Sequence, residues 1–204
     1  MWRIDPWKVV FLAGFVVYVV IRGRFENRTA GNEKLLSRRD GIELFLLIIV
    51  GVGNLLLPAI YVFTPLLSFA DRPLPRWAPW CGTVVMGAAL WLFYRSHADL
   101  DRNWSKTLEL RRGHELVTTG VYRRVRHPMY AAILLFGIAQ ALLLANWLAG
   151  WSAFVTFAVM VLVRTPREER MMLEHFGDAY RDYMLRTGRL FPRLRAPRTA
   201  ATSG

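Results

Sequence analysis

Paired cysteines, histidines at metal-ligand spacing and glycine-rich phosphate loops are all missing from this chain of 204 residues. The single cysteine, Cys81, excludes an intramolecular disulfide and, set in an apolar segment, reads as a small buried hydrophobe. With no glycine-rich turn joining a strand to a helix, and no strand–helix alternation, a soluble nucleotide-binding fold is excluded. No unit repeats at a fixed period, which argues against a small transporter or scaffold, as does the scarcity of polar groups at mid-membrane depth beyond Asn54 with Pro58. His97, Asp99 and Asp101 gather metal-ligand types, but their place just beyond a predicted helix end suits solvated polar residues better. Charge is missing from two long stretches, residues 44–70 and 128–163.

What is present is largely apolar: 54% of residues are hydrophobic, with 8 Trp and 12 Phe. The charges fall in blocks between runs long enough to cross a bilayer core, which takes about 20 apolar residues as helix. Backbone polar groups in lipid must be satisfied within the segment. The predicted fold class is therefore all-α, a polytopic membrane helical bundle with about five transmembrane helices. The first three spans cover residues 7–21, 42–63 and 77–94. The run 128–163 is 36 residues, or about 54 Å as helix against a core of about 30 Å, too long for one span. Asn146 breaks it near the centre, so a tight turn is predicted there, with the last two spans as a helical hairpin and a C-terminal cytoplasmic helix after them. Residues 1–194 read as a single integral membrane domain and 195–204 as a disordered tail. The first segment also has the basic start and apolar core of a signal peptide, but Arg22-Gly23-Arg24 follows where a small-residue cleavage site belongs.

Net charge is +12, and its distribution marks topology and excludes a nucleic-acid partner. Of the 27 Lys and Arg, 23 lie in residues 22–39, 95–126 and 164–198, which five spans put on one side. Positive charge is retained inside, so the N-terminus is predicted outside and the C-terminus in the cytoplasm. The partners this implies are the lipid bilayer and its anionic headgroups.

Two clusters flank the last apolar run. Before it come Asn103-Trp104-Ser105, then residues 113–122 with His114, Glu115, Leu116, Val117, Gly120 and Tyr122, then Arg126-His127-Pro128-Met129-Tyr130. Gly113 and Gly120 suggest tight bends around a small pocket, and Tyr122 and Tyr130 supply flat amphipathic walls; an interfacial aromatic belt would account for the tyrosines but not for the histidines. Pro128 suits a first helical position, where free N–H groups favour an anion, and His127 either donates to a ligand or satisfies a loop carbonyl. After the run, Arg164 and Glu168 would share a face of a continuous helix as an ion pair. Equally, Thr165-Pro166-Arg167-Glu168 reads as a capping box that opens a new helix. Leu173, Phe176, Tyr180 and Tyr183 then recur at helical spacing.

In order, Asn103-Trp104-Ser105, His114-x-Leu116-Val117-Thr118-x-Gly120-Val121-Tyr122, Arg126-His127-Pro128-x-Tyr130, Glu168-Glu169 and Phe176-Gly177-x-x-Tyr180-x-x-Tyr183 resemble the isoprenylcysteine carboxyl methyltransferase family. The resemblance covers residues 99–192 and departs at Ala132, where the family often has glycine, and in its reduced second glutamate cluster. It implies an integral membrane methyltransferase that uses S-adenosylmethionine, held by His114, Glu115, Leu116, Val117, Tyr122, His127, Pro128, Met129, Tyr130 and Glu168, with no metal. Arg164 and Glu168 would be the catalytic pair, Glu168 on a polar group of the cofactor and Arg164 facing the acceptor.

Methyl transfer from a sulfonium to an anion is an in-line displacement that needs positioning and dryness more than acid–base groups. Arg164 at the end of the fifth span would orient a carboxylate or another anion, and the resemblance implies a lipophilic, isoprenylcysteine-like acceptor. A phospholipid amine, a thiol or a lipid-tailed phenol is the alternative acceptor; an arginine nearby would keep an amine neutral and able to attack. The expected setting is a bacterial inner membrane with the active site facing the cytoplasm. Cysteines introduced at positions 114 and 170 should be labelled from the same side of sealed vesicles; labelling from opposite sides would separate the two clusters.

Overall fold

The computed structural model describes residues 5–29, 34–37, 41–100, 109–111 and 116–193. Asn103-Trp104-Ser105, His114, Glu115 and the tail at 195–204 lie outside the described residues. The chain is helical: α1 (Pro6–Thr29), α2 (Gly41–Gly51), α3 (Leu57–Phe63), α4 (Ala78–Leu100), α5 (Pro128–Leu143), α6 (Trp147–Phe176) and α7 (Asp178–Arg186). The all-α expectation needs one addition, a two-stranded antiparallel ribbon of β1 (Lys34–Ser37) and β2 (Glu109–Arg111). Among the described residues two helical segments can cross a membrane by length and composition, Gly41–Phe63 and Trp147–Phe176, and Pro128–Leu143 is apolar but shorter.

Between α2 and α3 the helix widens into a π turn at Val52–Leu56. Pro58 just beyond it has no N–H to donate four residues back, and the wider turn accommodates that loss. The turn presents the Gly53 carbonyl to α6, where Ser152 Oγ donates to it at 2.6 Å, and Gln140 Nε2 of α5 reaches both Ser152 Oγ and the Ala149 carbonyl. Three apolar elements are thereby joined by polar bonds, each sheltered from competition by water.

Asn146 sits at the predicted turn and caps α6, its Oδ1 accepting from the Ala149 amide at 2.9 Å. Its Nδ2 donates to the Leu67 carbonyl and to Asp71 Oδ1, and Arg72 donates to the Ala141 carbonyl at 2.6 Å with its guanidinium over Trp147. At this end of the bundle Lys8 also donates to the Tyr61 carbonyl. The core is built from Phe11, Met86, Phe93, Phe136, Phe157 and Met160, with Tyr18 stacked on Phe93 at 4.5 Å. Cys81 is exposed on α4 rather than buried, because that helix turns Trp80, Cys81 and Val84 outward and packs Gly82 against Leu142 and Leu143.

One of the two readings of residues 164–168 is corrected, and a break that the sequence did not predict appears after it. α6 runs without interruption through Pro166 to Phe176, so Thr165 caps no new helix. The helix ends instead at Gly177, with φ of 55°, so Leu173 and Phe176 lie on α6 whereas Tyr180 and Tyr183 lie on α7. Glycine is favoured there because a Cβ opposes positive φ.

At Gly137 an added Cβ would lie 2.6 Å from the Phe154 backbone nitrogen and 2.7 Å from its Cα, so α5 and α6 would have to part. Gly137→Ala should lower stability by about 1–3 kcal/mol, read as an earlier thermal unfolding midpoint in detergent.

Candidate functional site

The start of α5 and the charged extension of α6 meet at one end of the bundle. His127 is the N-cap of α5 and Pro128 its first residue, an order that needs no amide donor from proline. The backbone before it is pinned to the segment after α7: Arg126 N donates to the Gly188 carbonyl at 2.9 Å and His127 N to the Arg189 carbonyl at 3.0 Å. The His127 ring lies nearly parallel to Tyr130, 5.3 Å between centroids, as a residue at one helix start and another one turn later can.

Since α6 is continuous, Arg164 and Glu168 share a face, and Arg164 Nε donates to Glu168 Oε1 at 2.9 Å. Tyr130 Oη donates to the same oxygen at 2.6 Å, and His127 Nδ1 lies 3.5 Å from the other. Glu168 is therefore an ion-pair and hydrogen-bond acceptor, and its predicted alternative role as a helix cap is overturned. Glu169 turns to a second set: Arg126 Nε at 3.0 Å, Arg189 Nε at 3.2 Å and His127 Nε2 at 3.4 Å. One imidazole thus stands between two carboxylates carried by adjacent residues.

Both carboxylates lie past Val163, beyond the charge-free run. Burial alone would raise them, but Arg164, His127 and Tyr130 around Glu168 hold it at about 2, and His127, Arg189 and Arg126 hold Glu169 at about 2. For His127, burial works against the charged form, and the two glutamates more than reverse it, so its pKa is raised. The cluster is ionic and preorganised.

Other predicted site residues fall around this centre in different ways. Tyr122 is buried, its hydroxyl donating to the Ser96 carbonyl at 3.1 Å and its own carbonyl accepting from Tyr183 Oη at 2.6 Å. It braces α4 and α7, and its hydroxyl is committed to backbone. Gly120 has φ of 57°, and an added Cβ would meet Asp99 Oδ2 at 2.1 Å; that carboxylate accepts from the Val121 amide at 2.8 Å. Asp99 thus holds a loop while His97 turns inward between Phe25 and Phe93, and no metal-binding group of His, Cys, Asp or Glu occurs among the described residues. Met129 packs on the core beside Tyr130, and Leu116 and Val117 are half-buried ahead of the Gly120 turn.

Sequence reasoning missed Glu43. It lies in the first turn of α2, is 2% exposed, and places Oε1 3.3 Å from Arg164 Nη1. The signal was available, since Glu43 is the last charge before the charge-free stretch 44–70 and sits beside a basic block. The same reasoning read Thr165 only as a helix cap, whereas its buried Oγ1 finds no hydrogen-bond partner among the described residues. Thr165 and Glu169 are four apart and share a face of α6.

Residues 80–174 match the model of the isoprenylcysteine carboxyl methyltransferase (ICMT) family. Over 91 residues the chain is 33% identical to protein-S-isoprenylcysteine O-methyltransferase B of Arabidopsis thaliana, covering 42% of this chain and 44% of the relative. Form A of the same plant is 38% identical over 74 residues (34% of this chain, 36% of the relative), and the Homo sapiens protein-S-isoprenylcysteine O-methyltransferase 36% identical over 73 (36% and 26%). The matched stretch spans less than half the length of each of these relatives.

Arg126 also donates to the Thr187 carbonyl at 2.6 Å and the Met184 carbonyl at 3.2 Å, so it ties α6 to the end of α7. Arg126→Ala should cost about 3 kcal/mol, since it leaves Glu169 buried with less compensation. Arg189→Ala, with that side chain 52% exposed, should cost under about 1 kcal/mol. Thermal unfolding in detergent and proteolysis near residues 178–193 read the difference.

Proposed function

We propose, for a chain whose residues 80–174 match the model of the isoprenylcysteine carboxyl methyltransferase family, that it moves a methyl group from S-adenosylmethionine to the carboxylate of a lipophilic, isoprenylcysteine-like acceptor. The observation that carries this reading is the Glu168 carboxylate, held by Arg164, Tyr130 and His127 where the apolar helices α5 and α6 end. A site there would take a water-soluble donor from one side and a lipid-tailed acceptor from the other.

The residues present fit such a donor. Glu168 is kept anionic and suits an ammonium or a ribose hydroxyl, and the unpartnered Thr165 Oγ1 offers a buried polar contact on the adjoining face of α6. The first turn of α5 adds free backbone N–H groups, which suit a carboxylate. When bound, the donor supplies an electrophilic methyl on a sulfonium sulfur. His127, Pro128, Met129 and Tyr130 would line it from α5, with Leu116, Val117 and Tyr122 shaping the loop before them, and His114 and Glu115 completing the set outside the described residues. Tyr130 and Arg164 fix the Glu168 carboxylate, and Arg164 draws the acceptor anion toward the methyl group. Catalysis by this set is positioning and water exclusion.

The same reading takes residues 1–194 as one integral membrane domain that crosses the bilayer five times, with α5 and α6 as a hairpin and the site facing the cytoplasm. Contacts at the two ends support it. Lys8 with Tyr61, Arg72 and Asn146 gather at one end, and Phe25 with His97, Tyr122, Arg126 and Arg164 at the other, where the basic blocks lie. Anionic lipid headgroups are the partners of those blocks.

Calorimetry in detergent should show S-adenosylmethionine binding by the wild type, weakened about tenfold or more by Glu168→Gln and by His127→Ala, or about 1.4 kcal/mol and above. Arg164→Ala should keep most of the binding while methyl transfer to N-acetyl-S-farnesylcysteine collapses, and Arg164→Lys should rescue only part, because an ammonium lacks the paired donors of a guanidinium. A folded wild-type protein that binds no S-adenosylmethionine would overturn the reading.

A further inference from the structure

We propose that Glu43 is a built-in competitor for the acceptor: a carboxylate that occupies Arg164 in the resting protein and must yield when an anionic acceptor arrives. The inference rests on the reading of Arg164 as the group that draws in the acceptor anion.

Arg164 is 5% exposed and lies between two carboxylates, Glu168 on its Nε and Glu43 on its Nη1. The two contacts differ in kind. Glu168 stands one helical turn away on the same helix at 2.9 Å, and its Oε1 also accepts from Tyr130, so it cannot leave without breaking that set. Glu43 comes from a different helix, at 3.3 Å. The same helix buries Leu46 in the core but leaves Ile42, Leu44, Phe45 and Ile48 exposed, facing where lipid would be. A lipid-tailed acceptor moving along α2 would therefore bring its carboxylate to the level of Glu43.

Charge balance explains why the exchange is cheap. Glu43 and Glu168 already face this guanidinium, and a further carboxylate beside them would add one negative charge. An acceptor anion that replaces Glu43 leaves the count unchanged, whereas one that joins it is repelled. A neutral ligand of the same shape escapes this competition. Glu43 thus tunes affinity for the anionic acid over its neutral ester, which favours release of product after methylation. A strut role is the rival: Glu43 would then only hold Arg164 in place, with the N-terminus of α2 favouring its charge.

The test measures binding of N-acetyl-S-farnesylcysteine and of its methyl ester to detergent-purified wild type and Glu43→Gln, together with KM and kcat for methyl transfer. Competition predicts that Glu43→Gln binds the acid about tenfold tighter, lowers its KM in step, and leaves the ester unchanged. Equal shifts for acid and ester, weaker acid binding, or a fall in kcat with KM unchanged would overturn it. Glu43→Asp pulls the carboxylate back by one carbon and should move the acid in the same direction by less. If both variants fail to fold, Glu43 is a strut and the proposal fails. Wild type that binds no S-adenosylmethionine overturns the proposed function itself; wild type that transfers methyl groups with no gain in Glu43→Gln overturns only the competition.

Discussion

Two adjacent glutamates on one helix, both drawn in among other side chains, must be neutralised by cations from elsewhere in the chain. Adjacent residues on a helix point about 100° apart, so Glu168 and Glu169 cannot share one partner set. Glu168 takes Arg164 and Tyr130; Glu169 takes Arg126 and Arg189. His127 stands between the two. To satisfy both, the start of α5, the extension of α6 and the segment after α7 must converge. An uncompensated buried carboxylate would cost several kcal/mol, and that cost makes the end of the bundle specific.

The opposite end and the middle of the bundle set the register that lets this happen. Asn146 caps α6 and grips Leu67 and Asp71, so the turn between α5 and α6 has a defined place. Gln140, Ser152 and the Gly53 carbonyl of the π turn lock α5, α6 and the α2–α3 segment at mid-depth. Apolar helices in lipid have no hydrophobic force to order them against each other, so close approach at Gly137 and these few polar bonds carry the specificity. The ionic cluster then inherits its geometry from contacts far from it.

The chemistry attributed to this end follows from the same arrangement. A carboxylate held ionised beside a guanidinium offers a donor its polar contact and an acceptor its counter-charge, and neither role needs a proton to move. Glu43 brings a second carboxylate to that guanidinium from a helix whose other face is uncovered. The site would then discriminate by charge at a place where its walls are apolar and cannot discriminate by shape alone.

The sequence by itself determined the helical class, the polar break at Asn146, the glycine bend at Gly120 and the grouping of His127, Tyr130, Arg164 and Glu168, because each is a local pattern or the end of an apolar run. It left Glu168 divided between cap and ion pair, since Thr165-Pro166-Arg167-Glu168 is a sound helix start in isolation. Only the tertiary structure decided that: the bonds from Tyr130 and Arg164 to one oxygen hold α6 continuous through a proline. Likewise the even spacing of Leu173, Phe176, Tyr180 and Tyr183 concealed a break, because Gly177 turns the chain so that Tyr183 can reach the Tyr122 carbonyl. Glu43 stood out as the last charge before an apolar run, but its partner was not legible, for a related reason. Its partner is 121 positions away in the chain, and an ion pair between helices leaves no spacing to read; packing alone brings the two together.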